Sequence, residues 1–128
     1  MPGESFRFIH ASDFHLESPL GELDMLPTHL HQEIVAAPAN AAKLVFDAAL
    51  SQKVDFLLLS GDLLHPETAG PSGISLLLEQ FQRLADEDTP VFWAAGTVDD
   101  PIQWPAAIAL PENVTLFPKD HVEAVPVQ

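Results

Sequence analysis

The sequence predicts an α/β domain built on a largely parallel sheet. Three observations carry this expectation. Short runs of apolar, β-branched and aromatic residues alternate with longer stretches of helical spacing, in the order β-α-β-α-β-(α)-β. The segment VDFLLLS, residues 54–60, is apolar at nearly every position, as a strand covered on both faces reads. The 128 residues, 47% hydrophobic and 19% charged, suffice for one domain with its own core. Parallel strands joined through helices then imply right-handed crossovers.

The elements follow in order. Ser5–Ser12 (SFRFIHAS) is short and rich in β-formers, and reads as the first strand. An acidic, proline-containing stretch follows it as a long loop. Thr28 is the expected N-cap of a helix carrying Leu30, Ile34 and Val35, which Pro38 interrupts and which resumes with Leu44, Val45, Ala48 and Ala49 on one face. Val54–Ser60 is the second strand, and GDLLHPETAGP the next loop. Ser72 is the expected N-cap of an amphipathic helix with Ile74, Leu77, Leu78, Phe81 and Leu84 at helical spacing. Pro90–Ala95 and Asn113–Phe117 are the third and fourth strands. A short helix is expected within 100–110, where Pro101 suits a first helical position, and part of a fifth strand in HVEAVPV, 121–127.

Composition removes several functional classes. There is no cysteine, which excludes disulfides, a thiolate nucleophile and zinc–thiolate ligation, so any metal requires His, Asp or Glu. A formal net charge of -14 with five basic residues opposes direct nucleic-acid binding, whose affinity comes largely from Lys and Arg on phosphates. It equally opposes anionic membrane surfaces. No apolar run reaches the ~18 residues of a membrane-spanning helix and no leader pattern opens the chain, so a cytoplasmic protein is expected.

Ligands of open parallel sheets gather outside the carboxyl ends of the strands. Three such ends carry polar residues here: Asp13-Phe-His15, Gly61-Asp62, and Gly96-Thr97-Val98-Asp99. Asp13 and His15 can face one point from a single loop, and Gly61 lets the neighbouring chain turn so that Asp62 enters it. A carboxylate, an imidazole and a second carboxylate suit Mn²⁺, Fe²⁺ or Zn²⁺. D-x-H or Gly-Asp alone is a weak signal. Their placement after successive apolar strands with a helix between is more specific. Blander roles are expected elsewhere. Asp99 and Asp100 before Pro101 read as a helix N-terminus. His10 is packed or hydrogen-bonded, His29 and His31 have no role, and Phe92 and Trp93 belong to the core.

At FRFIHASDFHLESPL, VDFLLLSGDLL and PENVTLF the sequence resembles the calcineurin-like metallophosphoesterases, in pattern closest to the bacterial DNA-repair exonucleases. The resemblance covers nearly the whole chain, but only about the first half of a typical catalytic domain of that family. It implies one half of a four-layer α/β/β/α sandwich, and a two-metal site hydrolysing phosphodiesters by in-line attack. Asp13 and His15 would be first-metal ligands and Asp62 the bridging ligand, with Mn²⁺ the foremost metal. The third family block is degenerate: its metal-binding Asn falls on Thr97 and its His, which supports the leaving group, on Val98, while Gly96 and Asp99 match. Valine neither coordinates nor transfers a proton, and losing such a group costs roughly 10²–10⁴ in rate. The later His blocks of the pattern are not in these 128 residues; His65, Asp99 and Asp100 are the candidates to complete the three-ligand half-site, and nothing in the sequence requires that they do. The expectation is a single truncated, catalytically impaired phosphoesterase-like domain. The alternatives are a non-catalytic binding or assembly module, or a half-domain completed by another chain. With no second sheet, one apolar sheet face would be open, so a homodimer or a covering protein partner is expected.

Overall fold

A computed structural model describes residues 4–16, 27–64, 66–95, 109–118 and 121–127. Its elements are β1 (Phe8–Ala11), α1 (Thr28–Ser51), β2 (Phe56–Leu59), α2 (Pro66–Asp86), β3 (Val91–Trp93) and β4 (Val114–Leu116). The four strands form one parallel sheet in the order β1-β2-β3-β4, with Phe8 opposite Phe56, Leu57 opposite Val91 and Val91 opposite Val114. The predicted α/β class and parallel sheet are therefore observed.

Alternation along each strand separates two faces. Ile9, Ala11, Leu57, Leu59, Val91, Trp93, Val114 and Leu116 lie on one side, in or against a core completed by Phe46 and Ala49 of α1 and by Leu77, Phe81 and Leu84 of α2. Ring contacts run through this layer, from Phe46 to Phe81 at 6.0 Å and from Phe81 to Trp93 at 5.8 Å. The opposite side carries Phe8, His10, Phe56, Leu58 and Phe92. Phe92 is buried, yet stands apart from the helix-side core and meets the rings of Phe56 and Phe117. Both predicted core aromatics are thus buried, on opposite faces.

Several expected boundaries are corrected. Each strand is shorter than its predicted run. Helix α1 is continuous through Pro38, and its N-cap position is Pro27 with no side-chain cap, not Thr28. Proline there removes one helical hydrogen bond. The five alanines around it in AAPANAA have the highest intrinsic helix preference, and the later turns bury Ala42, Phe46 and Ala49. Helix α2 starts at Pro66 and not near Ser72. Proline at a first helical position loses no bond, since that N–H has no intrahelical partner. Residues 122–127 form no strand: Pro126 has no N–H to donate, and Val122 is almost fully exposed. The helix expected within 100–110 falls almost wholly outside the described residues.

Helix α1 has 24 residues and holds an 18-residue window of mean hydropathy 1.3, enough to cross a membrane by length and composition alone, contrary to the sequence expectation. Its packing ties it to this fold instead, since Phe46 lies in the core and Asp47 pairs with Arg83 of α2 at 2.7 Å.

Candidate metal centre

The parallel ladder between β1 and β2 does not stop where the strands do. Ser60 N–H donates to the Ala11 carbonyl (3.1 Å), Asp13 N–H to Gly61 (3.1 Å), His15 N–H to Asp62 (3.4 Å) and Leu16 N–H to Leu63 (3.1 Å). Side chains keep alternating along this irregular stretch. Phe14 and Leu16 pack against the core, with the Phe14 ring 6.0 Å from that of Phe46. On the other loop Leu63 and Leu64 are fully buried. These apolar anchors leave Asp13, His15 and Asp62 on the outside, next to one another.

The three side chains form a compact group. His15 Nε2 lies 3.0 Å from Asp62 Oδ2 and 3.5 Å from Asp13 Oδ1. One donor atom from each residue lies within 4.8 Å of the others. Donors at about 2.1 Å from one cation are separated by about 3.0–3.4 Å, so the His15–Asp62 separation already fits a shared ion and the His15–Asp13 one slightly exceeds it. The group is roughly half exposed, an open surface site and not a cavity. A cleft of ≈ 780 Å³ lies at the other end of the sheet, where Asp88, Pro90, Glu112 and Asn113 precede β3 and β4.

Electrostatics within the group are mutually reinforcing. The Ser12 hydroxyl donates to Asp13 Oδ2 at 2.6 Å and, with help from Asp62 and His15, holds the Asp13 carboxyl below its ordinary range against a smaller desolvation cost. Desolvation disfavours the His15 imidazolium, but the combined pull of the Asp62 and Asp13 carboxylates outweighs it and raises the His15 pKa. A proton on His15 between two carboxylates occupies the place a cation would take.

Backbone conformation singles out the same residues. Asp13, His15 and Asp62 have φ of 58°, 48° and 55°, and Gly61 has 83°. A left-handed backbone costs a non-glycine residue on the order of 1 kcal/mol, less for Asp than for bulkier side chains. The other two described non-glycine residues of this kind, Lys53 and Asp88, have an ordinary explanation. They follow the ends of α1 and α2, where a left-handed residue returns orphan carbonyls to partners, as in Val54 N–H to Ala49 (3.2 Å) and Thr89 N–H to Leu84 (2.8 Å). No helix end accounts for the first three. Strain held at polar residues that converge points to function.

Of the sequence-predicted site residues, the structure brings together Asp13, His15 and Asp62. His65, Gly96, Thr97, Val98, Asp99 and Asp100 lie outside the described residues. Sequence reasoning missed the serines. Ser12 restrains Asp13, and Ser60 Oγ lies 2.7 Å from His10 Nε2. His10 is hydrogen-bonded as expected, although exposed. The available signal was position, since Ser12 and Ser60 each immediately precede a ligand-bearing turn.

A parallel α/β sheet with a carboxylate–imidazole–carboxylate group at adjacent strand ends defines a class, and comparison with known proteins agrees. The family model for calcineurin-like phosphoesterases matches residues 6–127, and the chain belongs to that family. Among curated proteins it is similar to the uncharacterized metallophosphoesterase YhaO of Bacillus subtilis (strain 168), 32% identical over 121 residues. That match takes in 86% of this chain and 30% of the relative, so the chain spans about a third of the relative's length.

Proposed function

We propose that this chain binds a divalent cation, Mn²⁺ ahead of Fe²⁺ or Zn²⁺, through Asp13, His15 and Asp62, as the first half of a phosphodiester-hydrolysing site of the DNA-repair exonuclease kind. The observation that carries this reading is the convergence of three side chains from two strand ends, each on a left-handed residue that no helix end explains. The donor set of hard oxygens and one imidazole fits such an ion. When bound, the ion would supply Lewis-acid polarisation of a phosphoryl oxygen and an activated water. The Asp13 and Asp62 carboxylates would hold it, and His15, freed of its proton, would complete one side.

Turnover by this chain alone is slow in this reading, because Thr97 and Val98 stand where the family pattern carries a metal-binding Asn and a proton-donating His. Isothermal titration with Mn²⁺ tests binding, and hydrolysis of bis(p-nitrophenyl) phosphate tests chemistry. Saturable one-site binding that Asp62→Ala removes is the expected result, with hydrolysis at most weak and lost in the same variant. Absence of binding to the folded wild type would refute the proposal.

The open sheet face favours a second, compatible role as an assembly module. Phe6 and Phe8 are 64% and 47% exposed, large apolar groups left in water beside Phe56. A homodimer is the simplest cover, and another polypeptide bringing further ligands the alternative. The net charge of -14 still argues against DNA as a direct partner of this chain by itself. Sedimentation is the check: a well-folded monomer at high micromolar concentration counts against the dimer.

A further inference from the structure

The His10–Ser60 pair stands outside the three-ligand group, and the chemistry proposed above does not use it. His10 is the third residue of β1, paired in register with Leu58 of β2. It shares the open face with Phe8, Phe56 and Leu58, where an apolar side chain would continue the row. Its imidazole instead reaches forward past Leu58 to the first residue after β2, Ser60, with Nε2 2.7 Å from Oγ. The Ser60 N–H is held as well, by the Ala11 carbonyl at 3.1 Å. Ser60 is therefore fixed to β1 through backbone and side chain together. The next two residues are Gly61 and Asp62, both left-handed, at φ of 83° and 55°. A turn of this kind presents the Asp62 carboxylate correctly only if its starting point is fixed.

We propose that His10 is a positioning residue for the metal centre: its hydrogen bond to Ser60 fixes the origin of the Gly61–Asp62 turn and so aims the Asp62 carboxylate at His15 and Asp13. The inference rests on the metal-binding reading and adds a residue to it. It also gives the two loops a common plan. On the β1 side the Ser12 hydroxyl restrains Asp13 directly, at 2.6 Å. On the β2 side Ser60 restrains the turn one step earlier, and His10 restrains Ser60.

The experiment compares wild type, His10→Ala, His10→Gln, Ser60→Ala and the His10→Ala/Ser60→Ala double variant. Mn²⁺ affinity is read by calorimetry, and the Gly61 and Asp62 amide and ¹³Cα shifts by NMR on metal-free protein. Removing a group hydrogen-bonded directly to a metal ligand typically costs 10–100-fold in affinity; His10 acts one step further back, through Ser60, so a loss at the low end, about 10-fold, is expected for His10→Ala. Glutamine can keep a hydrogen bond to the serine and restores most of that loss. The double variant is no weaker than either single one, because both changes break one interaction. The shifts move in His10→Ala and return towards wild type in His10→Gln. Unchanged affinity and shifts in His10→Ala would overturn the proposal, as would a loss that glutamine does not rescue. A wild type that binds no Mn²⁺ overturns the metal reading alone, and the metal-free shifts then decide the positioning claim.

Discussion

The two faces of the sheet use similar residues to different ends. On the helix side Phe46, Phe81, Trp93, Leu57 and Leu59 are essentially removed from water and interlock with α1 and α2. On the open side Phe6, Phe8 and Phe56 stack on one another, with centroids 5.0–6.2 Å apart; Phe56 also meets the buried Phe92 edge-on at 5.7 Å, while Phe6 and Phe8 remain in solvent. Burial, not aromatic content, separates a core from a surface awaiting cover. The ligand group grows from the carboxyl end where these faces meet: Phe14, Leu16, Leu63 and Leu64 hold to the covered side, while Asp13, His15 and Asp62 face outwards.

Truncating one phenylalanine on each face measures the contrast. Phe81→Ala leaves a cavity among Phe46, Trp93 and their neighbours, and should destabilise the chain by about 3–5 kcal/mol in urea unfolding. Phe8→Ala removes a side chain that is already 47% exposed and two stacked pairs, with Phe56 at 5.0 Å and Phe6 at 6.2 Å, for a cost of about 1 kcal/mol. Equal losses would mean that the open face is already covered in solution. If the chain self-associates, Phe8→Ala should also weaken the dimer in sedimentation, a change Phe81→Ala has no direct reason to cause.

The covered face was the legible part of the sequence. Its spacing in α2 and the continuous apolar run of β2 gave the class and the parallel sheet, because β2 carries no polar alternation to misread, although only Leu57 and Leu59 on the helix side are fully buried. Boundaries were less legible wherever proline stood. Pro38 read as a break, and Pro66 and Pro71 as part of a loop, but α1 runs on through Pro38 between alanine-rich flanks, while α2 starts at Pro66, whose missing N–H costs nothing in a first turn, and includes Pro71. The ligand trio was readable from D-x-H and Gly-Asp at successive strand ends. The backbone signs of those residues and the serine restraints were not, since both depend on how two loops lace together across the sheet.

Glycine substitutions set the strain at the ligand turn against the strain at a helix end. Asp62→Gly and Lys53→Gly each relieve a left-handed side-chain residue, at φ of 55° and 51°. Each should change stability by less than about 1 kcal/mol, with relief partly offset by the greater freedom of glycine in the unfolded chain. They should differ completely in Mn²⁺ binding, which Asp62→Gly abolishes and Lys53→Gly leaves intact. Equal retention of binding would remove Asp62 from the site.

The smallest expected effect is on protons. The His15 pKa is raised by the Asp62 and Asp13 carboxylates beyond what desolvation takes away. A raised folded-state value means that the contribution of His15 to stability is fully present below its ordinary, unfolded pKa. That contribution fades as pH rises through the folded value. Because the side chain is half exposed, the change is small and sensitive to salt. Metal binding runs the other way. An imidazole must lose its proton before it can ligate, so Mn²⁺ affinity should climb as pH rises through that same value, with proton release on binding. NMR titration of the His15 ring and calorimetry across that pH window, in buffers of differing ionisation heat, measure both. In His15→Gln the stability change attributable to the ring disappears and the pH slope of metal binding flattens. A slope that survives the substitution would assign the proton to another group and leave His15 as a neutral neighbour of the two carboxylates.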